Sequence, residues 1–349
     1  MSDIFYLLLS LGFILFAAHF FCNALEHLGA ELKLSENVVG SIFAAVATAL
    51  PETVIPILSI IGISQSNLNQ SISMASIIGA PFMLSTISIS IMAFAVLKSR
   101  GLYGRIQPNS LGLNRDLSFF LLAYTVAFAA LFLQHNSYTK LTNIIFGISL
   151  VLMYAIYIWC TIKSSTNLPN NKENDNNQHI KKDTPLFITH LRGIRLYKHI
   201  KTAILLQLII GLGMLIYFAH IFIVQINIIA YEYELSSFLL SLIIIPLATE
   251  LPEKINSVLW IRRKRDTLAV GNITGAMVFQ GTLLPTISIL SGTWNIDNNK
   301  HAIFVIIVTM IASLWLLYNN KKQNIQIWQF IVNFVLYFIV ILLSFIFMT

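Results

Sequence analysis

Two pentapeptides in this chain of 349 residues carry acids where acids are costly. Thr48-Ala49-Leu50-Pro51-Glu52 and Thr249-Glu250-Leu251-Pro252-Glu253 each lie in the middle of a long apolar run. A carboxylate at the centre of a membrane-spanning segment is expensive, and such residues mark ion or substrate paths. Threonine and glutamate four residues apart share a helix face, so Thr48 sides with Glu52 and Thr249 with Glu253. Proline lacks an N–H and its ring crowds the carbonyl four residues back. Pro51 is therefore expected to free the carbonyl of Ala47, and Pro252 that of Ala248. At membrane depth a freed carbonyl must be buried in protein or line a polar cavity. The carboxylates, hydroxyls and carbonyls together form a set of hard oxygen ligands. Such a set suits Ca²⁺, which takes about six to eight oxygens, above any transition metal. A bland alternative makes each proline a kink and each glutamate a protonated, hydrogen-bonded bundle residue. It accounts for one copy as readily as an ion site does, but not for the repetition.

The elements that hold these groups must be membrane helices. Hydrophobic residues make up 56% of the chain and charged residues 11%, where a soluble domain carries about a quarter charged. At about 20 residues per span, the sequence predicts ten transmembrane helices, near 4–25, 38–63, 70–97, 117–134, 142–162, 203–230, 237–261, 267–290, 302–318 and 325–348. Asp3 and the absence of a basic residue ahead of Ile4 argue against a secretory signal, so the first run is read as a span. Placing the N-terminus outside puts Lys98, Arg100, Arg105 and Arg115, the basic central loop, Arg262 to Arg265, and Lys321 with Lys322 on the cytoplasmic side, leaving only Lys140 and Lys300 outside. The positive-inside rule thus selects N-out, C-out. The formal net charge of +7 is explained by these loops, so the expected partner is the lipid bilayer of the cell (plasma or inner) membrane and no nucleic acid. Cys22 and Cys160 match no redox or metal spacing. No oligomeric state is defined by the sequence.

The longest polar stretch, 163–202, separates five spans (1–162) from five (203–349), and its middle, Ser164 to Asp183, is rich in Asn, Lys and Ser and should be poorly ordered. An odd number of spans per half makes the halves an inverted-topology repeat. A shift of 201 residues lays Thr48 on Thr249, Leu50-Pro51-Glu52 on Leu251-Pro252-Glu253, Ser35 on Ser236, and Ala18-His19 on Ala219-His220. With a small loop deletion, Ser76-Ile77-Ile78-Gly79-Ala80 falls on Asn272-Ile273-Thr274-Gly275-Ala276.

These motifs, spanning 35–85 and 236–281, resemble the paired α-repeats of the sodium/calcium exchanger family within the cation/Ca²⁺ antiporter superfamily. That family pairs a Thr-Ser-Leu-Pro-Glu core with a following Gly-Asn-x-x-Gly-Ser-Asn stretch. The resemblance covers essentially the whole chain. It implies an all-α membrane protein, with no enzymatic activity and no cofactor, that moves Ca²⁺ against H⁺ or Na⁺ by alternating access. The site residues it implies are Glu52, Glu253, Thr48, Thr249, the carbonyls of Ala47 and Ala248, and Ser76, Asn272 and Gln280 on the following helices. This chain departs from the pattern at Ala49 and Glu250, at Ala80 and Ala276, and at Leu84 opposite Gln280. Apolar side chains contribute no oxygen, whereas burial disfavours a charged carboxylate and lets a proton replace a departing cation. The substitutions therefore favour H⁺ over Na⁺ as the counter-ion.

Glu250 and Lys254 stand where the first repeat has Ala49 and Thr53. Glutamate four residues ahead of lysine is the better order for an intrahelical ion pair, so Glu250 is expected to neutralise Lys254; the rival readings make Glu250 a third metal ligand, or the ammonium a tethered cation in an Na⁺ site. His19 and His220 occupy equivalent positions, and histidine is the side chain whose charge changes near neutral pH, a candidate proton gate, although a lone intramembrane histidine is more often structural. Arg262 to Arg265 reads as a solvated topology determinant or a contact for anionic lipid. Trp159, Trp260, Trp294, Trp315 and Trp328 read as interfacial anchors. An intramembrane enzyme is disfavoured, because neither Gly-x-Gly-Asp nor His-Glu-x-x-His is present. A non-transporting relative acting as a cation sensor or structural subunit stays open.

Overall fold

The computed structural model describes residues 2–31, 44–61, 67–133, 139–166, 186–187, 200–233, 236–294, 301–321 and 325–348. Most of the central loop and Ser35 lie outside the described residues, while the start of the stretch expected to be poorly ordered, 164–166, continues the helix that begins at Thr139. Long apolar runs have only one way to satisfy their backbone without water, which is to coil on themselves. They do so as α1 (Ser2–Glu31), α2 (Ala44–Ile61), α3 (Asn67–Met83), α4 (Ile89–Arg100), α5 (Ser110–Leu133), α6 (Thr139–Thr166), α7 (Ile200–Glu232), α8 (Ser237–Thr249), α9 (Leu251–Arg262), α10 (Asp266–Ser291), α11 (His301–Lys321) and α12 (Ile327–Met348). Among the described residues no strand forms, and one isolated bridge joins Arg105 to Gln326. Eight of the described segments are long and apolar enough to cross a membrane, the rod from Gln70 to Arg100 being one of them.

Among the described residues the buried side chains gather into a larger core from α3 to α6 and α8 to α12 and a smaller one that joins α1, α2 and α7, through residues such as Ile14, Ile55 and Phe222, with Ile72 of α3 and Ile245 of α8. In α1 and α7, Phe13 stacks on Phe218 at 4.5 Å between centroids, and Gly211 lets the helices approach until a Cβ there would lie 3.1 Å from that of Phe21. Small residues drive such approach where lipid removes the hydrophobic contrast. Gln207 ties the pair with amide hydrogen bonds to the Phe20 carbonyl at 2.8 Å and Asn23 Oδ1 at 3.0 Å. Leu186, a described residue of the central loop, packs on Ala24, Ala203 and Ile204 at the same place.

The α3–α4 rod is interrupted by a π-helical turn, Leu84–Ser88. A wider turn misaligns the carbonyl ladder, and α12 takes up the loose end: Asn333 donates to the Ser85 carbonyl at 2.7 Å. Buried hydroxyls elsewhere bond back to their own helix, as Thr282 does to the Val278 carbonyl at 2.6 Å.

Three of the basic connections meet at one end. Arg100 forms a bidentate pair with Asp266 at 2.7 and 2.8 Å, joining the end of α4 to the α9–α10 corner. Ile106 donates to the Ile325 carbonyl at 3.0 Å, joining the α4–α5 and α11–α12 connections. One expectation is corrected here. Trp294 is not an interfacial anchor: it is fully buried, and its indole N–H donates to the Ala127 carbonyl at 2.9 Å. An N–H in a dry interior needs an acceptor, and the carbonyl of a neighbouring helix supplies one.

Candidate functional site

The seventh apolar run, read from sequence as one helix over 237–261, is two. Glu250 leaves helical geometry, with φ −89° and ψ 7°, between α8 and α9. A proline near the start of α9 disfavours continuing the helix through this point, which is a sufficient local cause. The break is shallow, since the Glu250 N–H still reaches the Pro246 carbonyl at 3.2 Å and the Lys254 N–H the Glu250 carbonyl at 3.1 Å. Breaks of this kind let spanning helices present backbone and side chains to an ion.

Both motif acids are buried, Glu52 and Glu253 each at 4% exposure. They come from different halves, Glu52 on α2 and Glu253 in the first turn of α9, yet are close enough to act on each other electrostatically. Gln280, fully buried on α10, donates its amide to Glu52 Oε2. Its counterpart Leu84 is also fully buried, at the start of the π turn. Asn272 donates to the Glu253 carbonyl at 3.2 Å and to Ser257 Oγ at 3.0 Å, so its amide nitrogen clamps α10 to the start of α9. Thr249 is buried and donates to the Ile245 carbonyl at 3.0 Å; Ser76 donates to the Ser73 carbonyl at 2.8 Å. Thr48 and Ala47 lie on α2 and Ala248 on α8, but their side chains are outside the described residues, as is that of Ala49. Among the described residues, no three His, Cys, Asp or Glu side chains are gathered as a metal-ligand cluster.

Glu250 and Lys254 form a buried ion pair at 3.2 Å. The ammonium also donates to the Pro246 carbonyl at 3.0 Å and rests 3.0 Å from Met83 Sδ on α3. Pro246 escaped the sequence reading. The contact of α3 with α8 is equally tight. A Cβ at Gly79 would lie 2.8 Å from the Leu242 carbonyl and 2.9 Å from Pro246 Cγ, so only glycine lets these backbones meet.

Sequence reasoning also missed Asp116. The fourth span was expected to begin at 117, but α5 starts at Ser110 and carries Asp116 into the bundle. There Asp116 accepts hydrogen bonds from Thr274 at 2.9 Å, Tyr157 at 3.2 Å and Arg115 at 3.1 Å. It borders a cavity of about 320 Å³ between α5, α6 and α10. His19 and His220 lie on exposed faces of α1 and α7, away from the acids; the His19 ring sits 5.4 Å from Phe187.

An all-helical bundle of membrane-length segments, with buried acids at a broken helix, defines a polytopic membrane transporter class. The sequence profile described as sodium/calcium exchanger protein matches residues 2–163 and 203–346. The chain therefore belongs to that family, whose members are transporters of cations and not enzymes. Its fold is similar to that of the H⁺/Ca²⁺ exchanger CAX, with TM-score 0.70, 19% identity and coverage of 99% of this chain and 86% of the other. A structure of the sodium-calcium exchanger NCX_Mj aligns with TM-score 0.55 and 22% identity, covering 98% of each chain. The structure of native YfkE aligns with TM-score 0.64 and 13% identity, over 97% of this chain and 90% of the other. No curated protein matches the chain.

Proposed function

We propose that the chain is a secondary antiporter that carries Ca²⁺ on Glu52 and Glu253 and returns protons, by alternating access of two inverted five-helix repeats (1–162 and 203–349) joined by a cytoplasmic loop (163–202). Ten spans with N-out, C-out orientation in the cell membrane complete this reading. The observation that carries it is the pairing of acids across the halves. Glu250 is matched by Lys254 at 3.2 Å, while Glu52 and Glu253 bring one buried carboxylate from each half, and two carboxylates together balance one divalent cation. Oxygen donors around them include Gln280 Oε1, which is buried without a hydrogen-bond partner, and the Thr249 hydroxyl; Thr48, Ser76, Asn272 and the carbonyls of Ala47 and Ala248 are proposed to join as the helices adjust to the ion.

Proton coupling is supported by the residues at the positions where the family motif carries side-chain oxygens. Ala80 and Leu84 are buried and apolar, and Ala276 packs against the main core, so these positions give a dehydrated Na⁺ no side-chain oxygen. A carboxylate can trade a divalent cation for protons without such help. The fold is common to H⁺- and Na⁺-coupled proteins and does not choose between them. Radiolabelled Ca²⁺ uptake into proteoliposomes tests the reading. Uptake driven by a pH gradient at equal Na⁺ is expected, whereas uptake driven by Na⁺ at clamped, equal pH and indifferent to a pH gradient overturns the proton assignment. Ca²⁺ binding without flux under either gradient identifies a sensor instead.

A further inference from the structure

Lys254 contributes more than a counter-charge. Its ammonium is held at 4% exposure, where bilayer and protein leave little water. It donates to the Pro246 carbonyl at 3.0 Å and to the Met83 thioether at 3.0 Å, and forms an ion-pair contact with Glu250 Oε2 at 3.2 Å. A main-chain carbonyl at a helix break together with a carboxylate is the donor set that a dehydrated monovalent cation takes in discontinuous membrane helices. The neighbourhood is rich in acceptors: Glu250 Oε1 and Gln280 Oε1 are both buried and make no hydrogen bond. An excess of acceptors over donors attracts cations and is costly if left empty. The first repeat has no such arrangement, since Ala49 and Thr53 replace Glu250 and Lys254. The second repeat has acquired both the anionic wall and the cation that fills it.

We propose that the Lys254 ammonium is a tethered cation that permanently fills a monovalent-cation subsite made by the Pro246 carbonyl and the Glu250 carboxylate. Resting on the antiport reading, the consequence is that each Ca²⁺ exchanges against one fewer diffusible monovalent ion than an open subsite would demand. The subsite selects for size and single charge, and Na⁺, K⁺ or Tl⁺ are the ions it would accept if the tether were cut.

The test is equilibrium binding of Na⁺ and Tl⁺ to the purified full chain. Lys254→Thr, which copies the first repeat while keeping Glu250, is expected to bind about one more monovalent ion per chain than wild type, and adding Glu250→Ala should weaken that binding by roughly tenfold or more. In liposomes the single variant should gain a dependence of Ca²⁺ flux on Na⁺ or K⁺. A folded Lys254→Thr that binds no more Na⁺ or Tl⁺ than wild type overturns the proposal. Should this variant fold poorly, Lys254→Ala is read by thermal unfolding with propylammonium against neutral propanol. Specific stabilisation by the amine, rising with its concentration, supports the subsite, and equal effects of the two contradict it. Failure of wild-type Ca²⁺ flux would sink the antiport reading alone, because the binding measurements do not need transport.

Discussion

Thr48 to Glu52 and Thr249 to Glu253 are spelled almost alike, but they are set in different surroundings. The first copy lies within an unbroken helix, α2, and its acid is met by Gln280 from the other half. The second copy breaks its helix at Glu250, buries an ion pair beside its acid and is clamped by Asn272. The helices that follow differ as well: α3 gives way to a π turn at Leu84, where α10 carries Gln280 at the equivalent place. The two motifs match in sequence, and substitution at a few places has given them different surroundings. Among the described residues, the second half adds Gln280, Asn272 and a charged pair around the acids.

The sharpest way to break this comparison is to remove either shared element. Glu52→Gln and Glu253→Gln should each lower Ca²⁺ transport in proteoliposomes by roughly a hundredfold or more, equivalent to about 2.8 kcal/mol, with the fold kept. If only one of them matters, the halves do not share the ion. Glu250→Ala strands a buried ammonium and is expected to cost about 3 kcal/mol or more of stability, seen as a lowered unfolding temperature in detergent. Adding Lys254→Thr should restore most of that loss; a double variant no better than the single one would make Glu250 a ligand in its own right.

Gly79→Val probes the crossing of α3 and α8. The added atoms meet the Leu242 carbonyl and Pro246 ring, an overpacking expected to cost about 1 to 3 kcal/mol, whereas Gly12→Val, with nothing within 4 Å, should leave the unfolding temperature unchanged. Gln280→Leu makes the second half resemble the first at Leu84. Loss of one amide hydrogen bond to a carboxylate, about 1 kcal/mol, should raise the Ca²⁺ concentration for half-maximal flux by roughly fivefold. The smallest effect belongs to the equivalent histidines. His19→Ala and His220→Ala lie on exposed faces and should change flux by less than about twofold; a lost pH dependence in either would restore them to the proton path.

The helices were legible because a bilayer leaves apolar runs few alternatives, and the acids because charge inside such runs is conspicuous. The Glu250–Lys254 pair could also be read, from spacing and from its absence in the first repeat. Other features depend on partners remote in sequence. Asn333 beneath the π turn, Trp294 bonded to the Ala127 carbonyl, and Asp116 held by Tyr157 and Thr274 are each set by a helix far along the chain. Pro246 was overlooked for a different reason. Its contribution is a backbone carbonyl, which every residue possesses, and this one accepts from the Lys254 ammonium as well as from the Glu250 N–H.

The division of roles between the acids is tested most directly by equilibrium binding of radiolabelled Ca²⁺ to the purified chain. Wild type and Glu250→Ala with Lys254→Thr should bind Ca²⁺ with affinities within about tenfold of each other, a difference below 1.4 kcal/mol, while Glu52→Gln and Glu253→Gln should show no saturable binding in the same range. Wild-type affinity in either glutamine variant, or its loss in the charge-balanced double variant alone, would contradict the account.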